Sequence, residues 1–326
     1  MWITSSPTET LTPAAVALGN FDGVHRGHQL VIRPILNCVG AAVEESKGTR
    51  AMSPSLPHKA PNSLRTYATV VTFNPHPQEF FTGQARALLT PLNEKVQQMV
   101  NLGVEQLLLL PFDRELAALS PQQFVEKILL QQLHAQQISV GEDFRFGKGR
   151  SGTATELQAI AATYGIPTTI VPLQTCAGER ISSSSIRQAL EKGDLDCAKA
   201  LLGRSYTLSG FVVKGQQLGR TIGFPTANIQ LPPEKFLPRH GVYAVRASIE
   251  DVTELGVMNI GVRPTVNGNI PSVEVHLLDW SGDLYGKSIT VHLEKFLRSE
   301  QKFASLEALK QQIQADCAMT KSLFKG

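Results

Sequence analysis

The stretch AAVALGNFDGVHRGHQLVI, residues 14–32, decides the fold of the first half of this chain. Its first part, AAVALG (14–19), is an apolar run of strand length, and a helix is predicted to begin near His25. Gly23 and Gly27 in the connecting turn allow backbone N–H groups to approach a ligand closely. A strand that passes through such a turn into a helix is typical of a sheet with crossover helices.

The same alternation of apolar runs and helical patterns continues through about residue 190. The further predicted strands are YATVVTF (67–73), VEQLLLLPF (104–112), QISVG (137–141) and PTTIVPL (167–173). Thr90-Pro91 and Ser120-Pro121 each place a hydroxyl at a helix N-cap and a proline at the first helical position. We therefore predict an α/β fold with a parallel sheet, a doubly wound Rossmann-like domain, for the first half.

One segment, EESKGTRAMSPSLPHKAPNSLRT (44–66), breaks this alternation because it is polar, contains prolines and has no periodicity. Its composition cannot bury enough apolar surface to offset the entropy lost on ordering. We expect a disordered surface loop there.

The second half has a different rhythm, with strands and turns and few helices. The predicted strands are SYTLSGFVVKG, GVYAVRASI, LGVMNIG, SVEVHLLDW and KSITVHLEKF, which indicate an antiparallel barrel or sandwich. A terminal helix over 303–324 is expected to pack on it through Leu306, Leu309, Ile313 and Cys317. Between the halves, 182–203 predicts two short helices, the first closed by Gly193, the second capped by Asp194 and ended by Gly203. The predicted domains are 1–186 and 204–326, joined by a helical linker at 187–203.

Composition places the chain among ordinary globular proteins. The 326 residues are 42% apolar and 18% charged, and this length favours two domains. A net charge of +3 with dispersed Lys and Arg argues against a nucleic-acid partner, and no apolar run approaches the length of a membrane span. Four widely spaced cysteines suggest reduced, mostly buried thiols. We expect a cytoplasmic protein without a nucleic-acid or membrane partner; the sequence carries no signal for oligomeric state.

A cluster of basic groups marks the turn at residues 20–28. His25 and His28 are three residues apart on one helix face, with Arg26 between them. Cations at a helix N-terminus oppose the macrodipole at a cost of roughly 0.3–1 kcal/mol each, so the cluster predicts a bound anion, and phosphate fits. A zinc site is the structural alternative, but it requires two further ligands that the sequence does not offer.

Three further segments carry groups suited to phosphates, each with a plainer alternative. In ERISSSSIRQAL, Arg187 follows four serines at a helix start, which suits a triphosphate or simple capping with a solvated arginine. Asn74 and His76 follow the second strand in a proline-rich turn, where a histidine is often structural. The segment GEDFRFGKGRSG ends in a basic glycine-rich tip at Arg145, Lys148 and Arg150, or an ordinary turn.

The second half holds another candidate set in GFVVKGQQLGRTIGFPTANI (210–229). Its glycines allow close backbone approach to phosphates, and the Thr226 hydroxyl and Asn228 amide are oxygen ligands suited to Mg²⁺. Pro-Thr-Ala-Asn can equally form an ordinary turn. In SVEVHLLDW, Glu274, His276 and Leu278 alternate with Val273, Val275 and Leu277, and a strand carboxylate is usually just solvated.

The order GNFDGVHRGH, TFNPHP, GEDFRFGKGRSG, ISSSSIR resembles the FMN adenylyltransferase half of bacterial bifunctional riboflavin kinase/FAD synthetases, within the H-x-G-H nucleotidylyltransferases. The resemblance covers nearly the whole first half. It implies that a phosphate oxygen of FMN attacks the α-phosphorus of ATP and releases pyrophosphate, a reaction that needs placement and charge neutralisation.

The resemblance also implies residue roles. His25 and His28 would stabilise charge on the phosphates, and Ser183, Ser184 and Arg187 would hold the triphosphate, closing on it from the other side of the cleft. The remaining implied nucleotide- or flavin-binding residues are Gly19, Asn20, Phe21, Asp22, Gly23, Asn74, His76 and Asp143. Two residues depart from the family pattern, because Asp143 often is asparagine there and Ser184 often is threonine.

From about Gly203 to the C-terminus the chain resembles the riboflavin kinase module of the same family, through Pro-Thr-Ala-Asn, Asn259-Ile260-Gly261 and Leu297-Arg298 with Glu300. The resemblance implies Glu274 as catalytic base, Thr226 and Asn228 on Mg-ATP, and the Arg298 segment near the flavin. Other implied binding residues are Gly215, Gly219, Arg220, Gly223, Pro225 and Asn259.

Together the two resemblances imply an enzyme that makes FMN from riboflavin and then FAD, using ATP and Mg²⁺ in both steps. Two alternatives remain: a chain with only one of the activities, or a flavin-binding storage or regulatory protein without turnover. The presence of both motif sets speaks against each.

Overall fold

The computed structural model describes residues 1–44, 65–176, 178–215, 218–265 and 268–325, and the chain divides into two compact units. The first unit comprises Met1–Arg86 and Leu92–Ile181, and the second comprises Ala87–Pro91 and Ser182–Gly326. Most of the predicted loop at 44–66 lies outside the described residues.

The first unit contains a six-stranded sheet whose strands are all parallel, in the order β1-β4-β3-β2-β5-β8. Its strands are β1 (Trp2–Thr4), β2 (Ala14–Leu18), β3 (Tyr67–Asn74), β4 (Gln106–Pro111), β5 (Ala135–Gly141) and β8 (Thr168–Val171). Two short hairpins flank it: β6 (Arg145–Phe146) with β7 (Gly152–Thr153), and β9 (Thr175–Cys176) with β10 (Glu179–Arg180). The predicted parallel α/β fold and its five strands are confirmed, while β1 was missed.

Strand β2 lies inside the sheet and is buried on both faces, which explains its unbroken apolar run. Ala14, Val16 and Leu18 face one core cluster. Ala15 and Ala17 face the other, which also contains residues of the following helix. Because both faces are covered, the end of β2 delivers the chain from the core directly to the turn at residues 19–25.

Helices cover the sheet of the first unit. They are α1 (Arg26–Glu44), α2 (Pro77–Thr82), α3 (Leu92–Asn101), α4 (Arg114–Ala118), α5 (Pro121–Phe124), which continues as a π-helical segment (Val125–Gln132), and α6 (Ala154–Thr163). Ser120 caps α5 as predicted, since its side chain accepts from the backbone N–H of Gln123 at 3.2 Å. Helix α3 begins one residue after Pro91, within the usual spread of helix ends.

The second unit is a closed six-stranded antiparallel barrel in the order β11-β12-β15-β14-β13-β16, so the barrel alternative is confirmed over the sandwich. Its strands are β11 (Tyr206–Val213), β12 (Ala227–Gln230), β13 (Gly241–Ile249), β14 (Val252–Thr265), β15 (Gly268–Leu277) and β16 (Ser288–Arg298). Strand β12 was missed because Pro-Thr-Ala-Asn favours a turn. It is short, and it closes the barrel.

Among its described residues, the second unit has four helices: α7 (Ser183–Lys192), α8 (Leu195–Leu202), α9 (Leu218–Thr221) and α10 (Leu306–Leu323). The predicted ends of α7 and α8 are confirmed: Gly193 and Gly203 adopt left-handed conformations, and the Asp194 side chain caps α8. Helix α8 packs on β11 and β16, so residues 182–203 group with the barrel. The functional boundaries at 186 and 204 stay predictions.

Helix α10 packs on β13 and β14 through part of the predicted face, since Leu309, Ile313 and Cys317 are half-buried. Leu306 is 59% exposed, whereas Asp316 and Thr320 are buried. The reason is an ion pair, because Arg298 donates to both carboxylate oxygens of Asp316 at 2.7–3.1 Å. Gln312 donates to the same carboxylate at 3.0 Å.

The short segment Ala87–Pro91 belongs to the second unit although it lies within the sequence of the first. Leu88 donates to the backbone of Glu234 at 2.6 Å, and its carbonyl accepts from Phe236 at 2.9 Å. Lys235 donates to the carbonyl of Leu89 at 2.7 Å, and the Leu89 side chain is fully buried. The segment therefore forms part of the packed interior of that unit.

No helix among the described residues combines the length and apolar character needed to cross a membrane. Cys176, Cys197 and Cys317 are free thiols that are half-buried rather than buried as predicted. Burial raises the pKa of the Cys317 thiol above its usual value. The side chain of Cys38 lies outside the described residues.

Candidate active sites

The turn from β2 to α1 is strained at residues that are not glycine. Phe21 and Val24 have φ angles of +49° and +41°, a region that side chains rarely adopt. Asp22 between them is 5% exposed. Gly19 has no side chain, and a Cβ there would lie 3.2 Å from the Phe21 ring. Such strain, held by a surrounding core, is typical of ligand sites.

His25 and His28 lie together at the start of α1. His25 is buried, and its Nδ1 accepts from the backbone N–H of His28 at 3.2 Å, as an N-cap side chain does. The two rings stack with centroids 3.6 Å apart, and the Phe21 ring lies 5.2 Å from that of His28. At Gly27, a Cβ would come within 3.2 Å of the His25 ring, so the second glycine makes room for the pair.

The electrostatics of this pair favour a neutral His28. Burial, followed by the neighbouring His25 and Lys95, holds the pKa of His28 well below its usual 6.5. Among the described residues, no group hydrogen-bonds to its buried Nδ1. A buried polar atom without a partner costs about 1–3 kcal/mol, and a ligand that pairs with it removes this cost.

Lys95 is a residue that the sequence reasoning missed. It lies in the first turn of α3, and its Nζ donates to the carbonyl of Asn20 at 2.9 Å. The Thr72 hydroxyl donates to the same carbonyl at 3.0 Å. Burial lowers the pKa of Lys95, and Asp22 opposes this shift. The signal was present, since a cation at a predicted helix start is the same pattern that singled out the start of α1.

His76 is held by the helix that it starts. Its Nδ1 accepts from the backbone N–H of Gln78 at 3.0 Å, and its own N–H donates to Glu79 at 3.0 Å. Burial and then Arg86 lower the pKa of His76. Asn74 is the last residue of β3, and its carbonyl accepts from the backbone of Phe112 at 3.0 Å. The structural interpretation of His76 is therefore confirmed, because its side chain caps α2. Its role in nucleotide or flavin binding stays a prediction.

Four phenylalanines form an aromatic cluster beside His76, which the sequence reasoning also missed. Phe73 is the second-to-last residue of β3, Phe112 follows β4, and Phe80 and Phe81 lie on α2. Ring centroids are 5.2–5.8 Å apart with steep interplanar angles. Phe81 is 67% exposed, so the cluster presents an apolar face at the carboxyl ends of these strands.

Asp143 forms an ion pair with Arg180 of the β9–β10 hairpin, and both side chains are about half exposed. The asparagine that often occupies this position in the family could not form this pair. The basic tip at Arg145, Lys148 and Arg150 is exposed. Beneath it Gly152 packs on Phe146, because a Cβ would come within 2.6 Å of that ring.

Ser182, rather than Ser183 or Ser184, caps α7, since its hydroxyl oxygen accepts from the backbone N–H of Ser185 at 3.1 Å. Arg187 donates to the carbonyls of Ser183 and Ala87 at 3.3 and 3.0 Å. One serine thus suffices as the cap, as expected. The predicted grip of Ser183, Ser184 and Arg187 on a triphosphate shared with the histidines stays a prediction.

Three adjacent barrel strands bring the second site together. Asn228 of β12 and Asn259 of β14 both pair in register with Glu274 of β15, so the three side chains share one face. The Thr226 hydroxyl donates to Glu274 Oε2 at 3.1 Å. Gly215 packs directly on Asn228, where a Cβ would lie 2.2 Å from the amide nitrogen.

The glycine-rich segment before β12 is tightly folded. At Gly219, a Cβ would lie 2.3 Å from the carbonyl of Phe224, and Gly223 has a φ of +88°. His276 shares the Glu274 face of β15, and its Nδ1 lies 2.9 Å from the carbonyl of Pro225. Arg220 lies in α9, and its side chain is outside the described residues. His276 was noted in the sequence only by its alternation, and this contact gives it a place beside the Thr226 segment.

Arg298 is engaged by Asp316 of α10 and also lies 5.8 Å from the Phe303 ring. Asn259 donates weakly to Glu300 Oε1 at 3.4 Å, and the same oxygen fills the space that a side chain at Gly261 would need. The loop after β16 is therefore packed against the strand that carries Asn259. The predicted place of Arg298 near a flavin stays a prediction.

In the part of the chain that the structure describes, no group of three or more His, Cys, Asp or Glu side chains is arranged to hold a metal ion. The donors that meet at Thr226, Asn228 and Glu274 are of another kind: a hydroxyl, an amide and one carboxylate.

Comparison with known proteins gives a consistent result. A family model described as FAD synthetase matches residues 8–46 and 57–185, and one described as riboflavin kinase matches residues 202–324. Curated relatives named bifunctional riboflavin kinase/FMN adenylyltransferase include those of Escherichia coli K12 and Bacillus subtilis. The former is 41% identical over 95% of this chain and 92% of its own. The latter is 37% identical over 94% and 92%.

A solved structure from Streptococcus pneumoniae, described as a macrolide-efflux protein, matches 98% of both chains with a TM-score of 0.82 and 29% identity. The relative from Pseudomonas fluorescens is 40% identical over 94% of this chain and 91% of its own. Two family models, one over most of the first unit and one over the barrel, together with relatives aligned over nearly their whole length, leave one assignment. This chain belongs to the family of bifunctional riboflavin kinases/FMN adenylyltransferases.

Proposed function

We propose that the barrel unit phosphorylates riboflavin with ATP to give FMN and ADP, and that the α/β unit adenylylates FMN with a second ATP to give FAD and pyrophosphate. The observation that carries this proposal is that each unit has its own suitable groups. The stacked imidazoles belong to the α/β unit, and the hydroxyl–carboxylate pair belongs to the barrel. Residues 1–186 and 204–326 are the proposed catalytic domains.

In the α/β unit, the proposed reaction is the attack of an FMN phosphate oxygen on the α-phosphorus of ATP, with departure of pyrophosphate. His25 and His28 lie where the amino end of α1 favours negative charge. A neutral His28 can donate one N–H to a phosphate oxygen, and its orientation is already fixed by stacking. Fixed donors of this kind lower the barrier because they require no reorganisation during the reaction.

The aromatic cluster formed by Phe73, Phe80, Phe81 and Phe112 is the proposed surface for the flavin ring of FMN. It lies at the carboxyl ends of β3 and β4, where parallel α/β sheets bind ligands. An exposed phenylalanine offers a planar apolar ring a stacking partner.

In the barrel unit, Glu274 is the proposed base that takes the proton of the terminal ribityl hydroxyl as that oxygen attacks the γ-phosphorus of ATP. The hydrogen bond from Thr226 fixes the carboxylate, and positioned general bases contribute about 10²–10⁴-fold to rates. Gly215, Gly219 and Gly223 leave backbone close to this site, which suits phosphates.

We propose Mg²⁺ as the cofactor of both reactions, with Thr226 and Asn228 as its ligands in the barrel. The residues fit such an ion, because the hydroxyl, the Asn228 carbonyl and the Glu274 carboxylate are all oxygen donors. When bound with ATP, the ion would neutralise phosphate charge. Ser183, Ser184, Arg187 and Asp143 remain the proposed nucleotide-binding residues of adenylyl transfer, and residence in the cytoplasm remains a proposal.

The decisive experiment incubates the purified chain with riboflavin, ATP and Mg²⁺ and separates FMN and FAD by chromatography. Formation of both products supports the proposal, and EDTA should stop both. FMN alone would leave a single-activity enzyme, whereas flavin binding without either product would favour a storage or regulatory protein.

A further inference from the structure

The side chain of Lys95 holds a position that the two histidines alone do not explain. Its ammonium group carries three N–H donors, and the hydrogen bond to the Asn20 carbonyl uses one of them. The same carbonyl accepts from the Thr72 hydroxyl, so the loop that leads to His25 is already anchored by β3. A neutral donor would serve that anchoring as well as a charged one.

Keeping a charged lysine at this place is costly for the free protein. The side chain is half-buried, which disfavours the ammonium form, and it lies at the amino end of α3, where the macrodipole repels a cation. The carboxylate that partly offsets these costs is that of Asp22, which is buried in the turn from β2 to α1. A bound anion would offset the remaining cost of keeping the ammonium group charged.

The charges around Lys95 define what that anion would meet. His28 and His76 lie close enough for the ammonium to lower the pKa of each, and Arg86 and Glu79 flank His76. Because His28 is held neutral, it can donate a hydrogen bond but supplies no full positive charge. Lys95 is a group beside the histidine pair that can supply such a charge.

We propose that Lys95 is a catalytic residue of adenylyl transfer, whose ammonium group binds the reacting phosphate oxygens at the start of α1. It leaves or shares the Asn20 carbonyl when the substrates bind. It neutralises charge as the bond from the FMN oxygen to the α-phosphorus forms and the bond to pyrophosphate breaks. Lys95 exchanges no proton with either substrate. The inference depends on adenylyl transfer being the reaction of this unit.

The test compares Lys95→Met, Lys95→Arg and the control Lys127→Met in the full chain. Lys127 is an exposed lysine on a helical segment of the same unit. We expect Lys95→Met to lower kcat for FAD formation from FMN by about 10²–10³-fold, as loss of one charge-stabilising donor does. FMN formation from riboflavin in the barrel, measured on the same samples, should stay within about twofold of wild type, as should both rates of Lys127→Met.

A pH profile separates a charge role from an anchoring role. In the wild type, kcat/KM for FAD formation should fall as alkaline pH removes the Lys95 proton. Because the pKa of Lys95 is lowered, this fall should occur at a lower pH than the deprotonation of an ordinary lysine. In Lys95→Arg this fall should disappear, because a guanidinium keeps its proton.

Three results would overturn the proposal: FAD formation by Lys95→Met within about fivefold of wild type, an unchanged alkaline fall in Lys95→Arg, or equal loss of both activities in Lys95→Met. A wild-type chain that forms no FAD at all would instead refute the proposed function of the unit.

Discussion

At the residue scale, His28 has two features that are unfavourable for the free protein. Its buried Nδ1 is without a partner among the described residues, and its ring stacks on another imidazole at 3.6 Å. Both features favour the neutral ring, and both make protonation expensive. The linked consequence is a stability that depends on pH.

We expect the free energy of unfolding of the α/β unit to fall as the pH is lowered from about 7.5 to about 5.5. Below the usual histidine pKa of 6.5, His28 is protonated in the unfolded chain but stays neutral in the folded protein, so acid favours unfolding. One such group contributes a slope of up to about 1.4 kcal/mol per pH unit. His76 shifts in the same direction. Replacing His28 with Asn should therefore reduce the slope without abolishing it.

The measurement is urea unfolding followed by Trp2 fluorescence in a Trp280→Phe background, because Trp2 lies in β1 and Trp280 in the other unit. His134→Asn is the matched control, since His134 is exposed and its φ of +44° is tolerated by Asn. Equal slopes in His28→Asn and wild type would contradict the prediction.

Glu274→Gln should lower FMN formation by about 100-fold or more, because the amide keeps the shape of the side chain but cannot take a proton. Supplied FMN should still become FAD. Both products are measured by chromatography, with Glu254→Gln, another carboxylate on a barrel strand, as the control. Near-normal kinase rates in Glu274→Gln would remove this residue as the base.

Residue types in the turns at 19–28 and 225–228 were recognisable from sequence because glycines and polar groups cluster there. Lys95 carried only the signal of a cation at a predicted helix start, and its contact with a carbonyl 75 residues away had no signal in the sequence. His276 likewise contacts Pro225, in the segment that precedes β12. Pairings of this kind follow from tertiary packing and have no local pattern.

At the element scale, α10 is attached to the barrel through charge as much as through apolar contact. The Asp316 side chain is only 3% exposed and Arg298 is 21% exposed, and their bonds are bidentate. A second ion pair, Lys321 with Asp279, lies on the surface of the same junction, with side chains 42% and 77% exposed. The two pairs differ chiefly in burial.

Asp316→Ala should destabilise the barrel unit by about 3–5 kcal/mol, because it leaves the Arg298 charge buried without its partner. Asp279→Asn, the exposed counterpart, should cost about 0–1 kcal/mol. Urea unfolding followed by Trp280 fluorescence in a Trp2→Phe background measures both. Equal losses would show that burial of the Arg298 pair adds nothing to the junction.

Hydrophobic spacing predicted α10 and three of its half-buried residues, Leu309, Ile313 and Cys317. It did not predict the buried Asp316, because a lone acidic residue is expected in solvent. The strands were recognised where β-branched runs were long. In the parallel sheet and the barrel two were missed, the three-residue β1 and the four-residue β12, each too short to show an alternation. The two-residue strands of both hairpins were missed as well. Their pairing partners, rather than their own residues, make them strands.

At the scale of the whole molecule, His28 and Glu274, the residues through which each proposed activity is tested, lie in different units. His28→Ala should stop FAD formation while FMN accumulates, and Glu274→Gln should stop FMN formation at the start. We expect a mixture of the two variants to make FAD from riboflavin, because FMN released by one can bind to the other. Chromatography of the mixture against each variant alone gives the answer. A mixture without FAD, although Glu274→Gln converts supplied FMN, would show that FMN is not exchanged through solution.

The division into an α/β half and an antiparallel half was predictable from the change in strand spacing near residue 204. That the segment 87–91 belongs to the second unit was not, since five residues between two helices carry no signal for a distant partner. Its place is fixed by backbone bonds to Glu234 and Phe236 that only the folded barrel offers.

The place of segment 87–91 in the second unit affects any attempt to express the two units as separate fragments. A fragment that begins at Ser182 would lack Leu89, whose side chain is fully buried. It would also lack the Leu89 carbonyl to which the Lys235 ammonium donates, and this ammonium lies 4.4 Å from the centroid of the Tyr206 ring. The N-terminal piece keeps these five residues, whereas the barrel fragment loses part of its own packed interior. Residues 87–91, fused to the fragment or added as a free peptide, should restore the stability that the barrel fragment loses.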